Sequence, residues 1–280
     1  MNWRRRLVKD KFVAAGCVII LLVILTAIFA PQLSPHNPYQ QNLVEGLNAP
    51  SVKHPLGQDK LGRDVLSRII YGSRISIMVG LVTVTISLLV GTLIGSVSGY
   101  VGGAVDEIFM RIVDILLAFP GILLAIAIMT VLGPSLNNVI IALCIVGWVG
   151  YARLARGQIL SIREREYIIA ARAAGLGTAR IIIGHIIPNI ISPLIVQATF
   201  GIAGAIIAEA GLSFLGIGTQ PPMPSWGAML NDGRQFLLMA PHLTTYPGLA
   251  IMFTVLGLNF LGDGIRDILD PKSEYGRVRD

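Results

Sequence analysis

The residues best spaced to act together lie between Arg153 and Arg180, and what they offer is hydrogen bonding and docking rather than bond cleavage. Ser161 and Glu164 stand in a Ser-x-x-Glu spacing, the pattern in which a hydroxyl and a carboxyl group satisfy two free amide donors at the start of a helix. Gly175 supplies the left-handed residue that ends one. The spacing predicts a helix from about Ile162 to Ala174, roughly 20 Å long at the α-helical rise. At 100° per residue, Tyr167, Ala170, Ala171 and Ala174 fall on one face and Arg165 and Arg172 on the far side. A smooth face of small residues beside one aromatic suits close docking of another surface. The same periodicity also describes a helix lying on a membrane, its arginines against anionic lipid.

The remaining chemistry-bearing residues are scattered. Arg111 and Asp114 are spaced i and i+3, where opposite charges meet on a helix; they read either as a structural ion pair or as part of a gate. Pro120 is expected to kink the helix that carries it. Glu209 either closes a gate at a helix end or is solvated. Pro221, Pro222 and an exposed-looking Trp226 form a proline-rich loop. His185 has no second ligand at a metal-binding spacing and reads as a hydrogen-bonding interface residue. Ser98, between Gly95 and Gly99, has no histidine at a depth that would activate it, so the three residues read as small side chains that let helices approach. Cys17 and Cys144 lie inside apolar runs, away from any disulfide or metal pattern. No catalytic residue and no metal site is therefore expected. The sequence contains no G-x-x-x-x-G-K-[ST] phosphate loop, so ATP and magnesium, if used, must be bound by another subunit.

The elements that position these residues follow from composition. Of 280 residues, 54% are hydrophobic and 14% charged, too few charges for an ordinary soluble domain. Six uncharged or nearly uncharged runs are candidates to cross a membrane: Phe12 to Ala30, about Ile75 to Tyr100, Ile112 to Leu132, about Val139 to Tyr151, about Ile181 to Ala208 with Pro188 and Pro193 inside, and about Tyr246 to Leu261. The first run is expected to be a retained anchor, because it exceeds a signal-peptide core and Pro31 follows its only small-residue cleavage site. Placing both ends in the cytoplasm puts sixteen of the 22 lysines and arginines on that side, as the positive-inside bias requires. This charge pattern explains the net +6 better than a nucleic-acid partner does. Between the first two runs, Leu61, Val65, Leu66, Ile69 and Ile70 recur at helical spacing opposite Arg63, Asp64 and Arg68, which predicts a short amphipathic helix at the membrane surface. The organisation is thus an all-α polytopic protein: a cytoplasmic segment 1–11, a membrane domain 12–265 with external loops 31–74 and 209–245 and a cytoplasmic loop 152–180, and a cytoplasmic tail 266–280.

Ala170-Ala171, three residues, Gly175, and then Ile187-Pro188 with the proline thirteen residues past the glycine resembles the EAA loop of ATP-binding-cassette importer permeases. Ile169 replaces that family's acidic residue and His185 its isoleucine. HPLGQDKLGRDVLSR (His54 to Arg68), GLSFLGIGTQPPMPSWGAML (Gly211 to Leu230) and NFLGDGIRDILDP (Asn259 to Pro271) are similar to signatures of the dipeptide, oligopeptide and nickel permeases, especially the C-type partner of a dipeptide heterodimer. The resemblance implies a type I importer permease in a bacterial or archaeal cytoplasmic membrane. It further implies a second permease, cytoplasmic ATP-binding subunits and an external solute-binding protein. It makes the Ser161–Gly175 segment the ATPase-coupling helix and turns Pro221 to Trp226 toward the receptor. The cargo implied is a di- or oligopeptide, or alternatively nickel, a metallophore or glutathione. A self-sufficient ion-coupled carrier would place charges at the bilayer midplane, and the central segments have none.

Overall fold

The computed structural model describes residues 11–269, and every described element is helical or irregular. Residues 1–10, with the arginine run, and 270–280, with most of the expected tail, lie outside the described residues. The main helices are α1 (Lys11–Ile28), α2 (Val65–Val101), α3 (Gly103–Leu117), α4 (Gly121–Leu132), α5 (Leu136–Ile162), α6 (Glu166–Ala173), α7 (Ile187–Phe214), α8 (Trp226–Gly233) and α9 (His242–Leu269). Five helical stretches are long and apolar enough to cross a membrane: α1, α2, α5, the 178–214 stretch ending in α7, and α9. A sixth span results if α3 and α4 count together. Side chains such as Leu21, Leu22 and Leu93 point out of the bundle more than half exposed, as lipid-facing residues do.

Two expectations about helix continuity are corrected. Pro120 does not kink a continuous third helix: α3 stops at Leu117, α4 restarts at Gly121, and their axes meet at 89°. Pro120 is the N-cap, and its ring keeps Phe119 out of the helical region, so the helix ends before it. The amphipathic surface helix is also absent as a separate element, because Val65 to Ile70 are the first turns of the 37-residue α2. At 1.5 Å per residue this helix is roughly 55 Å long, well beyond the ~30 Å hydrocarbon core. Its first turns therefore project to hold the 34–64 loop, and Asp64 caps them by accepting from the Ser67 amide at 2.8 Å. Pro188 has a milder effect, because the 178–214 stretch remains one helix and only its turn is widened. It stands at the first turn of α7 behind a π-turn, Ile182–Ile186, because a proline ring cannot fit the carbonyl four residues earlier in a tight α-helix.

Packing is closest between α2 and α5, which run parallel. A Cβ added to Gly91 or Gly95 would fall within contact distance of the Trp148 and Ala152 carbonyl oxygens, so the glycine stripe sets the helix separation. The start of α2, α8 and the start of α9 share a core of Val65, Trp226, Met229 and Leu243, against which Leu47 and Leu56 of the 34–64 loop pack, and this defines the loop end of the bundle. At the opposite end α2 meets α3, and α5 meets α6.

Candidate functional site: the coupling segment and the charged end of the bundle

The segment that follows α5 ends as expected and begins differently. Gly175 adopts φ +78°, the Leu176 amide donates to the Ala171 carbonyl at 3.2 Å and the Gly175 amide to that of Arg172 at 3.0 Å. These two bonds make a Schellman stop. The expected capping box, however, does not form. Ser161 belongs to the last turn of α5 and its hydroxyl donates to the Gln158 carbonyl at 2.6 Å. Glu164 lies in the turn between helices, 3.2 Å from the Arg163 guanidinium. The pattern was satisfied locally by the preceding helix, which continues to Ile162. The separate helix α6 spans 8 residues, about 12 Å rather than 20 Å.

A second correction concerns its faces. Ala171 is not on the free surface: it is buried together with Ile168 against Ile159, Ile162, Ile181 and Ile186. Ile168 and Ala171, at i and i+3, share the face that docks. Tyr167, Ile169, Ala170, Ala173 and Ala174 remain exposed, so the free face sets three alanines beside Tyr167 and Ile169, rotated from the expected one. Arg172 lies over the Tyr100 ring at 5.5 Å, and Arg163 donates to the Gly99 carbonyl at 3.1 Å. Both tie the segment to the end of α2.

Beside it, α3 is strapped to α5. Asp106, in the first turn of α3 where a negative charge meets the helix dipole, accepts from Arg156 Nε at 2.5 Å and Nη2 at 2.6 Å. The Ser98 hydroxyl donates to the same carboxylate. Ser98 thus joins a polar clamp in addition to its role as a small residue. Asp114 pairs with Arg153 of α5, not with Arg111 as the i, i+3 spacing suggested. Packing of α3 against α5 places the α5 arginines within reach, and that contact won over the local one. α2, α3, α5 and α6 are therefore linked at one end through charged side chains.

Between α2, α4, α5 and α7 lies a cavity of about 260 Å³, lined by Thr83, Ser87, Tyr151, Gln197 and glycines including Gly201. The hydroxyls of Thr83, Ser87 and Tyr151 are buried without a protein partner. Sequence inspection missed this wall, because single hydroxyls on separate helices carry no spacing signal.

At the loop end, Glu209 is neither solvated nor beyond the helix. It is fully buried within α7 and accepts from the Ser213 hydroxyl at 2.7 Å and the Thr219 hydroxyl at 3.0 Å, fastening the turn that follows. Trp226 is likewise buried, at 2% exposure. Its indole N–H donates to the Ile69 carbonyl at 3.0 Å, and the ring packs on Gly72, where a Cβ would stand 2.7 Å away. Only Pro221 and Pro222 of that trio are exposed. Arg63 and Arg68, expected on a solvated helix face, are buried instead. Arg63 donates through Nε to Asp59 at 2.6 Å and through Nη2 to Asp232 of α8 at 3.4 Å, and Asp232 also accepts from Lys60 at 2.7 Å; Arg68 donates to the Pro38 carbonyl at 3.1 Å. His36, His54 and Asp64 are also drawn together in this loop.

Comparison with known proteins gives concordant results. The profile of the binding-protein-dependent transport system inner membrane component matches residues 91–275, and that of the N-terminal TM domain of oligopeptide transport permease C matches residues 2–50. The dipeptide transport system permease protein DppC of Alkalihalophilus pseudofirmus is 49% identical over 96% of this chain and 90% of its own length. The glutathione transport system permease protein GsiD of Pectobacterium atrosepticum is 45% identical over the same shares. The di/tripeptide permease DppC of Pseudomonas aeruginosa is 43% identical over 94% and 89%. Among solved structures, a chain of the MetNI methionine ABC transporter, in an inward-facing form, aligns with a TM-score of 0.59 at 19% identity, over 73% of this chain and 97% of that one. At that identity the likeness concerns the fold.

Proposed function

The chain belongs to the family of inner membrane components of binding-protein-dependent transport systems, and from that premise we propose that it forms, with a second permease, the path by which di- or oligopeptides enter the cell. A solute-binding protein delivers the peptide at the loop end, and ATPase subunits grip α6 at the charged end. The charged end faces the cytoplasm in this reading, and loops 34–64 and 215–241 face outward, as the distribution of lysine and arginine favours.

The observation that carries the proposal is the physical continuity of the charged end. The free face of α6 offers Tyr167 and Ile169 beside the small Ala170 and Ala174, an apolar surface on which another subunit can dock, while its other face and Arg163 and Arg172 are anchored to α2 and α5. A push on α6 is thereby delivered to α2 and α5, the two helices whose side chains Thr83, Ser87 and Tyr151 line the interior cavity. Hydroxyls without a protein partner at that depth suit transient hydrogen bonds to a peptide backbone, which has donors and acceptors at every residue. Gly175 completes the lever by ending α6 with its carbonyls satisfied, and the helical stretch 178–214 that follows carries Pro188 just after its π-turn.

The test is reconstitution of the chain with its neighbouring permease, ATPase and binding-protein subunits in liposomes. Dipeptide delivered by the binding protein is expected to stimulate ATP turnover and to accumulate inside. Glutathione is the second cargo to try, because relatives at 45% identity carry that name; nickel and metallophores complete the panel. Uptake by the isolated chain along an ion gradient, without ATPase subunits, refutes the assignment.

A further inference from the structure

The loop end holds a cluster for which the transport reading has no use. His36, His54 and Asp64 each bring one candidate ligand atom within 4.8 Å of the others, although 28 positions separate His36 from Asp64. The two imidazole rings lie 4.4 Å apart between centroids. In the neutral tautomer each ring keeps one lone pair. His36 Nε2 sits 2.9 Å from the Lys53 carbonyl oxygen, which can only accept, so the neutral ring holds its proton on Nε2 and its lone pair on Nδ1. His54 Nδ1 sits 2.9 Å from Asp64 Oδ1, an acceptor in its ionised form, so the neutral His54 ring has its lone pair on Nε2. His54 Nε2 is buried and has no protein partner. Asp64 is itself held by the Ser67 amide at 2.8 Å and hydroxyl at 2.6 Å. A carboxylate fixed in this way and accepting from the far nitrogen of a histidine is the arrangement that orients a metal-binding imidazole and raises its basicity. The cluster opens into a polar cavity of about 170 Å³ that Glu45 and Gln58 also line. The Glu45 carboxyl is held below its usual range, chiefly by the Gln58 side-chain hydrogen bond and then by the Lys53 charge, so it adds a negative charge at neutral pH.

We propose that this cluster binds one divalent transition-metal cation, with the imidazole nitrogens of His36 and His54 as ligands, Asp64 as the orienting carboxylate and water completing the shell. Two neutral imidazoles select zinc, cobalt or nickel over the oxygen-preferring magnesium and calcium. Such an ion cross-links two parts of the 34–64 loop and, through the His54–Asp64 bond, braces the cap on the first turn of α2. It is separate from cargo, since the cluster lies away from the interior cavity and is built around a helix cap.

The experiment uses the full chain, purified with its partner permease in detergent, stripped with chelator and titrated with Co²⁺ alone and then Zn²⁺ alone. Expected is a visible ligand-field absorption saturating at one Co²⁺ per chain, displaced by Zn²⁺ and not by excess Mg²⁺. His36→Gln and His54→Gln are each expected to weaken the signal by at least about 10-fold, and Asp64→Asn by about 10- to 100-fold. A wild type without the absorption overturns the proposal, as does a signal unchanged in both histidine variants, which identifies adventitious surface coordination. His54→Gln also removes the bond to Asp64 and can loosen the α2 cap. His36→Gln leaves that cap intact, so its metal-free melting curve should match wild type while binding is lost.

Discussion

Ala170 and Ala171 are neighbours with the same side chain and opposite surroundings. Ala171 is 8% exposed against a wall of isoleucines, whereas Ala170 faces out. A bulky residue at Ala171 overpacks a closed core and is expected to cost about 1–3 kcal/mol, read as a lower melting temperature of the purified complex. Ala170→Trp is expected to leave melting unchanged and to reduce binding-protein-stimulated ATP turnover, because its only effect is to obstruct whatever docks there. If both variants melt and turn over like wild type, the face is not a docking surface. The Asp106 clamp gives a second residue-scale test. Arg156 is 31% exposed and Asp106 19%, so solvent screens the pair. Asp106→Asn, which keeps shape and loses charge, should destabilise by about 1–2 kcal/mol, with Arg156→Gln adding little on top of it in a double-mutant cycle.

At the scale of elements, α6 is held more by its ends than by its own propensity. Eight residues are too few for a self-sustaining helix in water, and its order comes from the Schellman stop, the Ile168 anchor and the arginine ties to α2. The α2–α5 pair is the complementary case, where backbone proximity is the organising fact. Gly95→Leu is expected to force the helices apart, because its Cβ would meet the Ala152 carbonyl, and neither backbone can give. The outcome should be loss of folded, assembled complex on gel filtration rather than a graded loss of activity. A change at Gly204, whose Cβ would meet nothing within 4 Å, is the matched control and should assemble normally.

For the whole molecule, the network of buried Asp59, Arg63 and Arg68 with half-buried Asp232 joins the loop, α2 and α8 into a single cap. Removing one partner leaves a buried charge uncompensated, at about 3–5 kcal/mol when burial is deep. Asp59→Ala should therefore destabilise the loop end far more than loss of the half-exposed Lys60 contact. Trp226→Ala opens a cavity in the same cap and is expected to cost about 3–5 kcal/mol, measured as thermal stability. Topology is tested by single cysteines in a background lacking Cys17 and Cys144. A cysteine at Val52 or Leu238, both almost fully exposed, should react with an impermeant maleimide on intact cells, and one at Ala174 only after lysis. The reverse pattern rejects the proposed orientation.

The apolar character of the runs and the glycine that stops α6 are decided by chain chemistry within a few residues, and both are present in the structure, although the third run breaks at Pro120 and α2 starts early. Lipid solvation of uncharged segments and the conformational limits of glycine and proline act locally, so a linear sequence displays them. Other features depended on partners remote along the chain. The start of α2 ten residues before the expected span required counter-charges for Arg63 and Arg68 from Asp59 and from Asp232 of α8. Asp114 turned to Arg153 rather than Arg111 because helices α3 and α5 pack together. Ala171 turned inward because Ile168 had a pocket to fill, and the pairing of His36 with His54 arose from the path of an irregular loop. Periodicity tells which residues share a face; what that face meets is settled only when distant segments pack and supply the opposite charge, the hydrogen-bond partner or the space.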